Sequence, residues 1–149
     1  DVLHHLSQPR RFFAEASRCL VPGGKIVMVE PWVTRWSRFV YSSFHHEPFD
    51  PEAREWEFPP GEPLSAANGA LPWMMFERDR AVFEREFPQL TVETIRLTMP
   101  WSYLLSGGVS MRSFVPGAIF GPWRAFERLM ERWNGTLAMF ALIVLVKNR

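Results

Sequence analysis

Residues 20–31 read LVPGGKIVMVEP, and this stretch decides the fold class. The apolar run at residues 26–29 is typical of a strand that is covered on both faces, as in a parallel sheet. Pro22, Gly23 and Gly24 predict a tight turn before it, because Pro cannot continue a helix and Gly adopts turn conformations freely. Glu30 follows the run, so its carboxylate is expected at the carboxyl end of a buried strand.

A helix is predicted over residues 9–20, immediately before this turn. Its apolar residues recur at intervals of three and four, which places them on one helix face: Phe12, Phe13, Ala16, Cys19 and Leu20. Ser7 is expected to cap the helix and Pro9 to occupy its first turn, where a missing N–H group loses no hydrogen bond. A helix that leads through a turn into a buried strand is half of an α/β unit, so we expect the α/β class.

The rest of the chain continues this alternation of helices and strands. Residues 31–74 form a long, aromatic-rich connection that contains a short predicted helix, and a connection of this length in a compact domain is typical of a functional lid. A helix at 75–87, a strand at 90–99, a helix at 122–133 and a final buried strand at 137–146 follow. The alternation of the strand at 90–99 slips near Thr94 and Ile95, which indicates a bulge.

Composition and charge exclude several classes of protein. A chain of 149 residues with 47% hydrophobic residues can bury a core as one domain. A net charge of +1 gives no field that would attract nucleic acid. The only cysteine, Cys19, excludes an intrachain disulfide and favours a reducing, cytoplasmic location. The helix at 122–133 mixes Glu with Arg on its polar face, so membrane contact is not expected.

The opening 31 residues, DVLHHLSQPRRFFAEASRCLVPGGKIVMVEP, resemble the second half of class I S-adenosylmethionine-dependent methyltransferases, type 11-like. In that family the fourth strand ends in a loop of the form Asp/Asn/Glu-Val-Leu-His/Glu-His-Leu. A helix follows, and a Pro-Gly-Gly turn leads into the fifth strand. The resemblance implies the C-terminal half of a Rossmann-like fold, with the strands of this chain ordered 5-7-6, the last one antiparallel, and an aromatic-rich lid.

The resemblance also implies a domain organisation. Residues 1–149 would form a single partial domain, with the helix and strand of the α/β core at 1–30, a lid insertion at 31–74 and the remaining helices and strands at 75–149. The family binds its cofactor through a Gly-rich turn after the first strand, and no G-x-G-x-G follows a strand here. We therefore expect a strand before Asp1 in the complete protein, and no activity from this chain alone.

Site roles follow from the same resemblance. The cofactor would be S-adenosylmethionine, and Asp1 and Val2 would approach its methionine part. His4 and His5 are the predicted catalytic residues, since an imidazole titrates near neutral pH and can accept a proton from an O–H or N–H group of the acceptor. The alternative is that one His caps the loop while the other packs under the helix.

The predicted substrate-binding residues are Glu30, His46, Glu47 and Trp73. Aromatic residues make up 15% of the chain, which favours a small aromatic or lipid-like methyl acceptor in an apolar pocket. The alternatives are that the aromatic residues only pack long loops onto the sheet, and that Glu30 forms a salt bridge with a neighbouring Arg.

No metal is expected, with one alternative. Some quinone-pathway O-methyltransferases bind a divalent cation at the equivalent loop. The aligned residues are Asp1, His4 and His5, and a carboxylate with two imidazoles could bind a transition metal. The segment with His45, His46, Glu47 and Asp50 is a further candidate for a metal, although adjacent imidazoles chelate poorly unless the backbone turns between them.

A second functional hypothesis is a non-enzymatic remnant or interaction module. In the family the strand at 25–30 pairs with a fourth strand, and without that neighbour it exposes an open edge. We therefore expect a homodimer or larger homo-oligomer that forms through residues 25–30. The other expected partner is a small-molecule methyl acceptor.

Overall fold

Helices and one small sheet make up the structure, a computed structural model that describes residues 1–44, 47–59, 67–98, 101 and 117–149. The elements are, in chain order, a 3-10 turn at Leu3–His5, α1 at Pro9–Cys19, β1 at Lys25–Pro31, α2 at Arg35–Phe44, α3 at Leu71–Trp73, a π-helical turn at Met74–Arg78, α4 at Arg80–Glu86, β2 at Leu90–Thr98, α5 at Gly117–Leu129, a 3-10 turn at Glu131–Trp133, α6 at Asn134–Leu137 and β3 at Phe140–Lys147. The α/β class is confirmed.

The sheet has three strands in the order β1-β3-β2. The last strand, β3, lies between the other two and is antiparallel to both, with Lys25 opposite Val146 and Leu90 opposite Lys147. Its apolar run is buried because of this central place: Ala141, Ile143 and Leu145 are each 0% exposed. The Rossmann-like sheet to which these strands would belong, and the lid, stay predictions.

The ladder between β2 and β3 contains a bulge. Its register shifts between Val92 and Thr94, so Glu93 has no partner residue in β3. The sequence predicts this slip near Thr94 and Ile95, one residue further along. A bulge places two residues of one strand opposite one residue of the other, which changes the face that the following side chains occupy.

The main core lies on one face of the sheet, under α1, α3, the π-helical turn and α4. Phe13, Phe76 and Phe83 are fully buried there, and their rings meet edge to face with centroids 5.0 to 5.8 Å apart. The apolar face predicted for α1 is thus confirmed at Phe13 but is wrong at Phe12 and Cys19, which are exposed. A smaller cluster formed by Val40, Tyr41, Met139 and Phe140 includes residues of α2 and β3.

The sequence predicts that both faces of β1 are covered, and this prediction is wrong for one face. Met28 and Glu30 are buried, whereas Val27 points the other way and is 62% exposed. An apolar run by itself does not distinguish a strand covered on both faces from one covered on a single face. The structure has the second arrangement at Val27.

Several predicted boundaries also differ. Helix α1 starts at Pro9 with Gln8 as its N-cap residue and no side-chain cap, so Ser7 is not the cap. The helix predicted at 75–87 starts at Leu71 and is divided by the π-helical turn, and the one predicted at 122–133 is α5, which starts at Gly117 and ends at Leu129. The final strand begins at Phe140 because residues 134–137 form α6.

Candidate functional site

The site is built where the end of β1 meets the loop at residues 1–6. Glu30 is 1% exposed, and its Oε1 accepts hydrogen bonds from the backbone N–H groups of Val2 and Leu3 at 2.8 and 2.9 Å. Its Oε2 lies 2.7 Å from Nδ1 of His4, which is itself 3% exposed. One buried carboxylate thus holds both the backbone of this loop and its first imidazole.

The charge of Glu30 determines the tautomer of His4. Burial raises the pKa of the Glu30 carboxyl, but the hydrogen bonds from His4, Val2 and Leu3 outweigh burial and lower the pKa to about 2. The carboxylate is therefore ionised at neutral pH and can only accept a hydrogen bond. His4 therefore donates from Nδ1, and Nε2 is the nitrogen through which the ring can exchange a proton.

That free nitrogen faces Glu47. Nε2 of His4 lies 3.9 Å from Oε2 of Glu47, whose side chain is 20% exposed. Asp1 lies on the other side of the ring, with Oδ1 3.7 Å from Nδ1, and it is 61% exposed. The two ring nitrogens of His4 therefore have different acidic neighbours.

His5 packs against His4. The ring centroids are 4.1 Å apart at an interplanar angle of 40°, and Nδ1 of His5 is buried without a hydrogen-bond partner among the described residues. Burial lowers the pKa of His5, and the charge of His4 lowers it further, whereas Glu47 and Glu30 raise it to a smaller extent. His5 is therefore a neutral imidazole at physiological pH.

The segment that carries Glu47 is tied to this loop by Asn68. The backbone N–H of Asn68 donates to the carbonyl of His4 at 2.9 Å, and its side-chain amide exchanges hydrogen bonds with the backbone of Asp50 at 2.9 and 3.0 Å. The neighbouring Gly69 N–H donates to the carbonyl of Pro48 at 2.9 Å. Sequence reasoning missed Asn68, for which an Asn-Gly pair at 68–69 was the available signal of a turn.

The structure brings together most of the predicted site residues. They are Asp1, Val2, His4, His5, Glu30 and Glu47. Trp73 lies at the end of α3 and lines a cavity of about 540 Å³ together with Trp32 and residues of β2, rather than His4 or His5. His46 and His45 lie outside the described residues.

Residues 1–28 match the family model of the methyltransferase domain. The match supports a class I S-adenosylmethionine-dependent methyltransferase-like domain, and it spans the two histidines, α1 and the first residues of β1. Comparisons with curated proteins and with solved structures found no match. In the part of the chain that the structure describes, no helix has the length and apolar character that crossing a membrane requires.

The arrangement has a defined chemical capacity. A carboxylate that holds one imidazole nitrogen orients the ring and stabilises the imidazolium that forms when the other nitrogen takes a proton. The same arrangement makes the second nitrogen a good metal ligand. Nε2 of His4 can therefore act as a base or as a metal ligand.

Proposed function

We propose that the chain forms part of an S-adenosylmethionine-dependent methyltransferase whose acceptor is a small molecule with a reactive O–H or N–H group. The observation that carries this proposal is the buried Glu30–His4 pair, which lies where the matched segment meets the end of β1. The methyl group of a sulfonium is already activated, so the protein must mainly align the acceptor and take up its proton.

His4 is the proposed general base. Its Nδ1–H is held by Glu30 at 2.7 Å, so Nε2 is the nitrogen that would take the acceptor proton. His5, with its ring centroid 4.1 Å away, would stand beside the reacting group. Glu47 would line the acceptor site on the Nε2 side, and His46 keeps the same proposed role.

The strand order supports a Rossmann-like assignment. The last strand of the chain lies between the two earlier ones and is antiparallel to both, which is the 5-7-6 order that the resemblance implies. Asp1 and Val2 would then contact the methionine part of the cofactor. Because the sequence contains no G-x-G-x-G, we propose that the chain alone binds the cofactor weakly and is inactive.

The acceptor class is proposed from the residues around the loop and from the aromatic content. An aromatic or lipid-like molecule would suit a chain with seven Trp and thirteen Phe. Trp73 is the weakest of the proposed acceptor contacts, since its cavity is formed with β2.

A transfer assay with labelled S-adenosylmethionine and a panel of small phenols, alcohols and amines tests the function. We expect transfer only when the chain is joined to a segment that supplies the family's Gly-rich strand and turn. The variant His4→Asn keeps a donor for Glu30 but removes Nε2, so transfer should fall by about 10²- to 10⁴-fold. The control Arg18→Gln, on the exposed side of α1, should keep full activity.

Two outcomes would contradict the proposal. A joined, folded protein that methylates none of the panel would remove the methyltransferase function. Calorimetric binding of the cofactor to the chain alone at micromolar strength would remove the claim that the cofactor residues lie elsewhere.

The second candidate function, an interaction module, is favoured by the side of β1 that pairs with no other strand among the described residues. Backbone hydrogen bonds join Gly24 to Lys147 and Trp32 to Met139, so the even-numbered residues of β1 face β3. In an antiparallel ladder the alternate residues turn their N–H and C=O groups away from that partner. Lys25, Val27 and Val29 would therefore offer an edge to a second copy of the chain.

A further inference from the structure

We propose that His4, His5 and Glu47 form a binding site for a divalent transition metal ion such as Zn²⁺. One ring nitrogen from each histidine and one carboxylate oxygen of Glu47 all lie within 4.8 Å of one another. The site concerns metal binding, which the methyl transfer proposed above does not require. It rests on three separate features of the described residues.

The first feature is the hydrogen bond that holds His4. Imidazoles that bind metals in proteins usually donate their other N–H to a carboxylate, which fixes the tautomer and raises the basicity of the ligating nitrogen. Glu30 takes that role here through the 2.7 Å contact between its Oε2 and Nδ1 of His4. The nitrogen that remains, Nε2, is the one that points toward Glu47.

The second feature is the unpartnered nitrogen of His5. Buried polar atoms in proteins nearly always have a hydrogen-bond partner, and Nδ1 of His5 has none in the described part of the chain. A metal ion would supply that partner.

The third feature is the donor set. Two imidazoles and one carboxylate are typical of zinc and related transition metals, and they leave a fourth position for water or a substrate. Ligand bonds of about 2.0 to 2.2 Å place tetrahedral donors about 3.3 to 3.6 Å apart. The 3.9 Å between His4 Nε2 and Glu47 Oε2 would therefore have to shorten by less than 1 Å, and the donor separations to His5, which are at most 4.8 Å, by no more than about 1.5 Å.

The geometry favours Glu47 over the other acidic neighbours. Asp1, His4 and Glu30 form a second close group, but both oxygens of Glu30 already accept hydrogen bonds. Asp1 lies on the Nδ1 side of His4, which is the nitrogen that Glu30 occupies. The alternative set expected from the sequence, Asp1 with His4 and His5, is thus less suitable than Glu47 with the same histidines.

Titration of the untagged, metal-free chain with Co²⁺, followed by its visible absorption and by displacement with Zn²⁺, tests the site. We expect one equivalent to bind, with the intense visible bands of a four-coordinate ion. His5→Asn and Glu47→Gln should each weaken binding at least 10-fold, and Glu30→Gln should weaken it by about 10- to 100-fold through His4. The control Glu52→Gln, at an exposed glutamate of the same segment, should leave the affinity unchanged.

Circular dichroism of each variant establishes that it is folded before the titration. Folded His5→Asn and Glu47→Gln proteins that both keep wild-type affinity would overturn the site, as would a wild-type chain that binds no Co²⁺. The measurement uses neither cofactor nor acceptor, so its result is independent of the methyl transfer assay.

Discussion

Asp79 helps to join two segments of the chain through its two carboxylate oxygens. Oδ2 accepts a hydrogen bond from Nε1 of Trp56 at 2.8 Å, and both oxygens accept from the guanidinium of Arg78 at 2.7 and 2.9 Å. That guanidinium also donates to the carbonyls of Pro51 and Ala53. The pair therefore fastens the segment at 51–56 to the π-helical turn.

This contact predicts a pH dependence of stability. The hydrogen bond from Arg78 lowers the pKa of Asp79 more than burial raises it, and the bond from Trp56 lowers it further. A carboxyl with a lowered pKa in the folded state stabilises the fold above its unfolded pKa, about 3.9, and loses that contribution as the pH falls through the folded value. Asp79→Asn should lower the free energy of unfolding at pH 7 by about 1 to 3 kcal/mol.

Urea unfolding followed by Trp fluorescence, at pH 7 and again near pH 3, measures the effect. The difference between wild type and Asp79→Asn should shrink at the lower pH, and an equal difference at both would contradict the assignment. Glu84→Gln, which removes the exposed pair with Arg80, is the matched control with an expected loss of about 0.3 to 0.5 kcal/mol.

At the residue scale, the sequence indicated the candidate side chains better than it indicated the contacts that those side chains make. The position of Glu30 at a strand end and the double histidine were sufficient to predict a site. Their pairing joins residues 26 positions apart, so no local pattern contains it. The bond between Trp56 and Asp79 was missed for the same reason.

At the scale of elements, the turn between α1 and β1 depends on its glycines. Gly23 has a φ of 78°, a conformation that an L side chain adopts only with strain, and its N–H donates to the carbonyl of Lys147 at 2.8 Å. A Cβ atom at Gly24 would lie 2.9 Å from the carbonyl oxygen of Val21. The Pro-Gly-Gly segment is therefore a requirement of the turn and of its contact with β3.

Replacement of glycine by alanine should have opposite effects in this turn and in a helix. Gly23→Ala should lower the free energy of unfolding by about 1 to 2 kcal/mol, because it forces an L residue into the left-handed region. Gly135→Ala is the control, since that position in α6 has open space around it and Ala favours helices over Gly by about 1 kcal/mol. Urea titrations of both proteins give the comparison, and a neutral Gly23→Ala would show that the turn can adopt another conformation.

Helix periodicity predicted α1 well and α4 only in part. The pattern at 75–87 was read as one helix, but the π-helical turn Met74–Arg78 inserts extra residues and changes the phase. Phe76 and Phe83, seven positions apart, are nevertheless both fully buried and in contact, as the helical periodicity predicts. A regular 3.6-residue repeat cannot represent such a turn.

At the scale of the whole molecule, the free side of β1 predicts self-association. Val27 is 62% exposed beside backbone groups that face away from β3, and open strand edges pair with other chains. We expect light scattering to show a mass that rises with concentration. Val27→Lys should shift the chain toward the monomer, because edge lysines oppose pairing.

Val21→Lys is the control, since Val21 is 70% exposed in the turn before β1 and offers no strand edge. Equal effects of the two lysines would assign the association to general hydrophobicity. A wild-type chain that stays monomeric at high concentration would exclude the proposed edge.

The order of the strands in the sheet is a part of the fold that could not be predicted from the sequence pattern alone. Each strand was recognisable from its apolar residues, whereas their order in the sheet depended on the resemblance to a family, because periodicity carries no information on which strands pair. The exposure of the Val27 side chain could not be predicted, because it depends on which helices cover the sheet.

The bulge at Glu93 has a consequence for any substitution or deletion in β2. Leu90 and Val92 are buried in the main core, and Ile95 and Leu97 pack against the same core although an odd number of positions separates the two pairs. The unpaired residue compensates for that odd number. Deletion of Glu93 would therefore leave a regular ladder with the same four side chains on the core side, whereas insertion of one more residue would turn the second half of the strand inside out.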